Sequence, residues 1–128
     1  MGNKLRFLVC KHCFNIALLV NDSGVPPVCC DEQMSVCEPN TVDASIEKHM
    51  PVVTNTANGI SVKIGSVSHP MGSEHHIAFV YVETEHGGQR KYFKVGDEPA
   101  LSFCFSDDKP VAVYAYCNLH GLWKTAIN

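Results

Sequence analysis

Two close pairs of cysteines constrain the first third of this chain more than any hydrophobic pattern does: Cys10-x-x-Cys13, fifteen intervening residues, then Cys29-Cys30. Around them residues 1–36 read as one small unit. Lys4 to Val9 and Asn15 to Val20 are strand-like, Asn21-Asp22-Ser23-Gly24 is a turn, and Pro26-Pro27 leads into the adjacent thiols. A chain shorter than about 40 residues rarely buries enough apolar surface to hold itself together, so it needs a metal, a disulfide or a partner. Four thiolates on one ion would supply that restraint. A disulfide framework fits less well, because the cysteines number seven and no apolar export signal precedes them. A thioredoxin-like redox role would want a helix after Cys13, and none is indicated.

The bulk properties narrow the function classes. With 128 residues the chain is one ordinary domain or a small one joined to a medium one, and 45% hydrophobic composition supports a real core. A formal charge of −3 offers no basic footprint for nucleic acid. The longest apolar run, Ile16 to Val20, is too short to cross a bilayer. With no targeting signal in Met1 to Arg6, the expected compartment is the cytoplasm.

From Cys37-Glu38-Pro39-Asn40-Thr41, read as a crossover strand and linker, the chain becomes a succession of short strands without a helix signal. Strands are expected near Ile60 to Ile64, Ile77 to Glu83, Lys91 to Val95, Leu101 to Phe105, Val111 to Cys117 and Leu122 to Ile127. Turn chemistry at Asn58-Gly59, Gly87-Gly88, Asp97-Glu98-Pro99 and Asp107-Asp108-Lys109-Pro110 separates them. The expected fold is therefore all-β: a small metal-knuckle domain over 1–36, then an immunoglobulin-like antiparallel β-sandwich over 37–128. Cys104 reads as an inert strand residue, whereas Cys37 has no assignment.

In the second part, metal-binding side chains gather at strand ends and loops. Cys117 and His120 form a claw where the alternating strand Val111 to Tyr116 runs out, with Gly121 closing the turn. Glu47-Lys48-His49 and His69-Pro70-Met71-Gly72-Ser73-Glu74-His75-His76 lie upstream. Imidazoles with one thiolate suit a first-row metal such as iron, copper or zinc. His75 and His76 must point to opposite faces of the strand they enter, and both faces are apolar, so periodicity does not choose between them. His12 and His86 read as surface residues.

At these motifs the chain resembles the desulfoferrodoxin-type superoxide reductases over nearly its whole length. Glu47-Lys48-His49, His69-Pro70-Met71 with Glu74-His75, and Cys117-Asn118-x-His120-Gly121 match the family's iron-site motifs in order. Cys10, Cys13, Cys29 and Cys30 match the ligands of its N-terminal desulforedoxin- or rubredoxin-like domain. The resemblance implies a Fe(Cys)4 centre and a Fe(His)4(Cys) centre, the latter with His49, His69, His75 and His120 as equatorial ligands and Cys117 axial. His76 falls outside the motif. It further implies one-electron reduction of superoxide to hydrogen peroxide, Glu47 as a residue that closes onto the oxidised iron, and Lys48 as an attractor of superoxide. The first iron is then an electron relay, a rubredoxin or similar protein the donor, and a homodimer the usual assembly. Phe14 and Asp31 depart from the family, which favours glycine after the second and fourth cysteines because the backbone there takes a positive φ or lets its amides approach sulfur. Two other readings are a non-catalytic electron-transfer or metal-binding module with a zinc knuckle, which ligand softness permits, and a dismutase, which the thiolate disfavours.

Overall fold

The computed structural model describes residues 5–127, so the first four residues of the Met1 to Arg6 stretch read above for targeting signals, with Lys4 of the first expected strand, lie outside it. The chain divides into two compact units, Met1–Glu38 and Pro39–Asn128.

The first unit contains β1 (Phe7–Val9), β2 (Ile16–Leu18), β3 (Val28–Cys29), β4 (Glu32–Gln33) and β5 (Ser35–Cys37). β1 is the centre of an antiparallel sheet of order β2-β1-β5, and β3 with β4 makes a separate hairpin. Among its described residues the buried apolar side chains are Phe7, Leu8 and Cys10, a core too small to carry a fold by burial alone. The turn expected at Asn21 to Gly24 forms around Asp22, which accepts from the Gly24 amide at 2.8 Å and from Arg6 Nε at 2.8 Å. Phe14, Cys30 and Asp31 all adopt left-handed backbone, with φ of 63°, 52° and 61°. The two departures from glycine thus take the conformation that glycine favours, at roughly 1–2 kcal/mol each. Cys37 is half-buried in β5 opposite Phe7.

The second unit begins with one helical turn, α1 (Ile46–His49), followed by β6 (Pro51–Asn55), β7 (Gly59–Ile64), β8 (Ile77–Thr84), β9 (Gly88–Tyr92), β10 (Ala100–Cys104), β11 (Pro110–Cys117) and β12 (Gly121–Ala126). They form two antiparallel sheets, β10-β7-β6 and β12-β11-β8-β9. The apolar faces meet in one core: Ile60, Val62, Ile64 and Phe103 come from the first sheet, and Ile77, Val80, Val82, Val113, Ala115 and Cys117 from the second. Alternation produces this, since every second residue of β7 and β11 faces inward. Cys117 is the last inward residue of its strand, so a thiol stands where the core ends.

Three local expectations are corrected. The short turn α1 was not anticipated, being too brief to show a helical period. β6 was not among the expected strands; it opens at Pro51, a residue tolerated at the first position of an edge strand. The expected strand Lys91 to Val95 is displaced to Gly88–Tyr92, because its hairpin with β8 sets Tyr92 opposite Phe79 and the Asp97 carboxylate then turns the chain by accepting from the Lys94 amide. Cys104 ends β10 exposed to solvent.

Gly65, just after β7, carries a load that no other residue could. Its φ is +86°, and a Cβ there would stand 2.3 Å from the Val67 carbonyl oxygen and 2.7 and 2.8 Å from those of Lys48 and Glu47. Its amide donates to Met50 O at 3.1 Å, while Val67 N and Ser66 Oγ donate to Glu47 O at 3.0 and 3.3 Å. The turn carrying Glu47 and Lys48 is therefore held by backbone bonds to the end of β7. Gly65→Ala is expected to destabilise the chain by on the order of 2–4 kcal/mol in chemical denaturation, combining an αL penalty with a backbone clash. Gly87→Ala, where a Cβ meets nothing within 4 Å, should cost under about 1 kcal/mol.

Candidate metal centres

The four thiols of the first unit converge. The sulfurs of Cys10, Cys13, Cys29 and Cys30 all lie within 4.8 Å of one another, and Cys13 Sγ is 3.6 Å from Cys29 Sγ. All are free thiols. Cys10 is buried, while Cys13 and Cys30 face solvent. Backbone and side-chain donors aim at the sulfurs: the Cys13 amide lies 3.5 Å from Cys10 Sγ, and Asn15 Nδ2 lies 3.8 Å from Cys29 Sγ. The Cys13 amide is the largest influence pulling the Cys10 thiol down to about 6. Contact with the Cys10, Cys13 and Cys29 sulfurs pushes Cys30 up to about 12. One thiolate forms readily and then opposes the others, so four thiolates in this space require a cation.

A second cluster is assembled in the larger unit. His49, His69, His75 and Cys117 offer donor atoms within 4.8 Å of one another. His120 joins them, with Nδ1 3.1 Å from His49 Nε2 and 3.8 Å from Cys117 Sγ. The contributing elements are α1, the loop between β7 and β8, and the claw joining β11 to β12. The rings stand edge to face, His49 against His69 at 4.7 Å and His69 against His75 at 4.6 Å between centroids.

The hydrogen bonds fix which nitrogens face the centre. His49 Nδ1 lies 2.6 Å from the Ser45 carbonyl and His69 Nδ1 lies 2.6 Å from the Pro70 carbonyl. Because a carbonyl only accepts, each Nδ1 carries the proton and each Nε2 keeps its lone pair. His69 Nε2 and His75 Nε2 are buried and have no hydrogen-bond partner among the described residues. Buried polar atoms are seldom left unpaired, and convergent imidazole lone pairs beside a thiol form a donor set that a first-row cation fits.

The electrostatics point the same way. Burial, reinforced by neighbouring histidines, lowers the affinity of His49 and His75 for protons and holds His69 at about 4, although the Pro70 carbonyl opposes it. Near neutral pH these three rings are uncharged and available as ligands. Burial pushes the Cys117 thiol up, against the Leu119 and His120 amides that favour its anion, so a cation is needed to deprotonate it.

A β-bulge chooses between His75 and His76. β8 pairs Phe79 with Tyr116 but Ile77 with Cys117, leaving Ala78 as the extra residue. The parity of the strand flips there, so Ile77 and His75 turn inward while the His76 ring turns aside, its Nδ1 3.0 Å from the Gly72 carbonyl. Sequence reasoning did not assign Trp123 a role, although it stacks on His49 at 4.9 Å and donates from Nε1 to His120 O at 3.1 Å. Its position three residues beyond His120, facing inward with Cys117, was the available signal. The His12 side chain pairs with Glu32 at 3.0 Å, although its backbone lies in the first knuckle, and His86 lies 3.4 Å from Asp108.

An all-β chain with a tetrathiol knuckle and a separate histidine–cysteine cluster is a metalloprotein with two centres, of the kind that moves electrons. The desulfoferrodoxin family profile matches residues 41–126, and the chain belongs to that family. It is 42% identical over 124 residues to a desulfoferrodoxin of Nitratidesulfovibrio vulgaris, covering 97% of this chain and 98% of that one. It is 34% identical over 99 residues to a superoxide reductase of Pyrococcus horikoshii, covering 63% of this chain and 86% of that one. The crystal structure of the superoxide reductase from Treponema pallidum superposes with a TM-score of 0.81 at 36% identity, covering 96% of this chain and 99% of the other.

The histidine cluster makes the metal-free protein acid-sensitive. His69 binds its proton at about 4 when folded but near 6.5 when unfolded, so the unfolded chain takes up protons first. Stability is complete above about pH 6.5 and falls as pH drops toward 4. The urea midpoint of metal-free protein should decline across that window, and His69→Gln should flatten the decline. A midpoint that stays level would show that the ring is not held neutral.

Proposed function

We propose that this chain is a superoxide reductase, reducing superoxide by one electron to hydrogen peroxide at an iron held by His49, His69, His75, His120 and Cys117. The observation that carries this reading is the pair of buried, unpartnered Nε2 atoms of His69 and His75, facing the same space as Cys117. Membership of a family whose relatives include named superoxide reductases supports the substrate. The two sheets of the second unit are read as an immunoglobulin-like sandwich.

Iron held there would supply the single electron that each superoxide takes up. The chain's own residues do the rest. Neutral imidazoles at His49, His69 and His75 would add no positive charge, so with the single thiolate of Cys117 an iron(II) held here would carry a net single positive charge, attractive to a small anion. The buried Cys117 sulfur, with two amides directed at it, would hold the iron and supply electron density to it, which would favour its oxidised form. Lys48 and Glu47 sit exposed on the turn that ends in His49. Lys48 draws superoxide in and orders the proton supply, since the reaction consumes two protons for each electron. Glu47 closes over the site when product has formed.

The Cys10, Cys13, Cys29 and Cys30 centre is read as an iron relay, with solvent-facing Cys13 and Cys30 as its side toward a rubredoxin-like donor. A cytoplasmic homodimer is the proposed assembly. Among the described residues no helix is long and apolar enough to cross a membrane.

Rapid-mixing of reduced, iron-loaded protein with superoxide tests the central reading. Cys117→Ser should erase the thiolate-to-iron absorption of the histidine centre and abolish the reaction, whereas Cys104→Ser, at an exposed strand end, should change neither. Loss of reaction in Cys104→Ser alone would place the chemistry elsewhere. In the same measurement Lys48→Ala should slow the second-order step roughly tenfold and flatten its dependence on salt, because an exposed charge next to a ligand residue acts over about 10 Å at 0.1 M ionic strength. An unchanged rate and salt slope would return Lys48 to the surface.

A further inference from the structure

Three of the converging imidazoles are oriented through contacts of their rings or of the strand that bears them. His49 is held by Ser45 O and by the face of Trp123, His69 by Pro70 O, and His120 by the Trp123 indole that bonds its own carbonyl. The buried Nε2 of His75 makes no hydrogen bond among the described residues, and the residue stands in a loop outside β8. Beyond edge-to-face contact with the His69 and His120 rings at 4.6 and 5.0 Å, its anchoring is through its backbone.

That backbone is held from the opposite strand by one side chain. Asn118, the residue after Cys117, donates from Nδ2 to Glu74 O at 2.9 Å and accepts at Oδ1 from the His76 amide at 2.8 Å. Its own amide donates to His76 O at 3.1 Å. Glu74 C=O belongs to the peptide unit before His75 and the His76 N–H to the unit after it. With both flanking peptide planes held, φ and ψ of His75 are set, and with them the direction of its Cα–Cβ bond. The Gly72 amide adds a bond to His75 O at 3.0 Å, which holds the second of those planes from its other end.

We propose that Asn118 is a positioning residue that aims His75 into the metal cluster and couples its position to that of Cys117. The proposal rests on the reading of His75 as a ligand but not on the reaction performed. The amide is suited to this task because it presents one donor and one acceptor in a plane, as a neighbouring strand would. No other side chain of similar length offers both. Aspartate keeps the acceptor but sets a carboxylate oxygen against Glu74 O. Alanine removes both side-chain bonds and leaves the main-chain one.

The test uses the full chain loaded with cobalt(II), whose thiolate bands report each centre without any turnover of superoxide. Asn118→Ala should release cobalt from the histidine–cysteine centre to a chelator about tenfold faster, within the range of about 10–100-fold seen when the partners of metal ligands are lost. Asn118→Asp should fall between it and the parent chain. The bands of the Cys10, Cys13, Cys29 and Cys30 centre should not move. In metal-free protein, nitrogen-labelled histidine spectra should show the His75 ring signals shifting or doubling while those of His49 and His69 stay in place. An unchanged release rate, equal change at both centres, or all three rings moving together would overturn the proposal. Failure of superoxide reduction with these results intact would instead overturn only the proposed activity.

Discussion

The structure of the larger unit depends on imidazole lone pairs turned toward one another in a place from which water is largely excluded. His49 and His69 are each fully buried, and each gives away its only N–H to a main-chain carbonyl. At His69 that leaves a buried Nε2 lone pair with no hydrogen-bond partner among the described residues, an arrangement that is unfavourable by itself and is relieved by a cation. Protonation would relieve it too, and burial opposes that. The site is thus built to be satisfied by a metal near neutral pH and to become costly when metal is absent and protons are plentiful.

The scaffold answers this constraint by placing each donor at the end of a rigid element. Cys117 closes β11, His49 ends a helical turn, and His69 and His75 occupy a loop anchored at both ends to core strands. A residue at a strand end inherits the strand's direction without its pairing obligations, so side chains can converge while the backbone remains hydrogen-bonded. Gly65 and the Ser66–Val67 amide and hydroxyl tie the Glu47–Lys48 turn to the same sheet. Residues that differ by more than 70 positions in sequence, such as His49 and His120, therefore come within 3.1 Å.

The small unit solves a different problem with related chemistry. Its described core of Phe7, Leu8 and Cys10 is slight, and left-handed backbone at Phe14, Cys30 and Asp31 adds strain to both knuckles. Four thiols within 4.8 Å supply what burial does not, since metal–thiolate binding is available only to the folded chain. In one unit a cluster of thiols able to hold a metal stands where a core is lacking; in the other an ample core supports the histidine–cysteine cluster.

Much of this was legible in the sequence because the relevant chemistry is local. Cys10-x-x-Cys13, Cys29-Cys30 and Cys117-x-x-His120 place donors within one turn of chain, and alternating or continuous apolar runs mark β7, β8 and β11 without reference to anything distant. β6, α1 and the displacement of β9 were not legible, since each is set by a partner strand or a tertiary clamp rather than by its own pattern. The same distinction divides the site. By itself the sequence determined which residue types could serve, that they come in clusters, and that the chain is all-β. Only the tertiary structure decided that His75 and not His76 turns inward, through the bulge at Ala78, and that Nε2 of His49 and His69 faces the centre, through the Ser45 and Pro70 carbonyls. Those choices follow from cross-strand register and main-chain direction, which exist only once distant segments have paired.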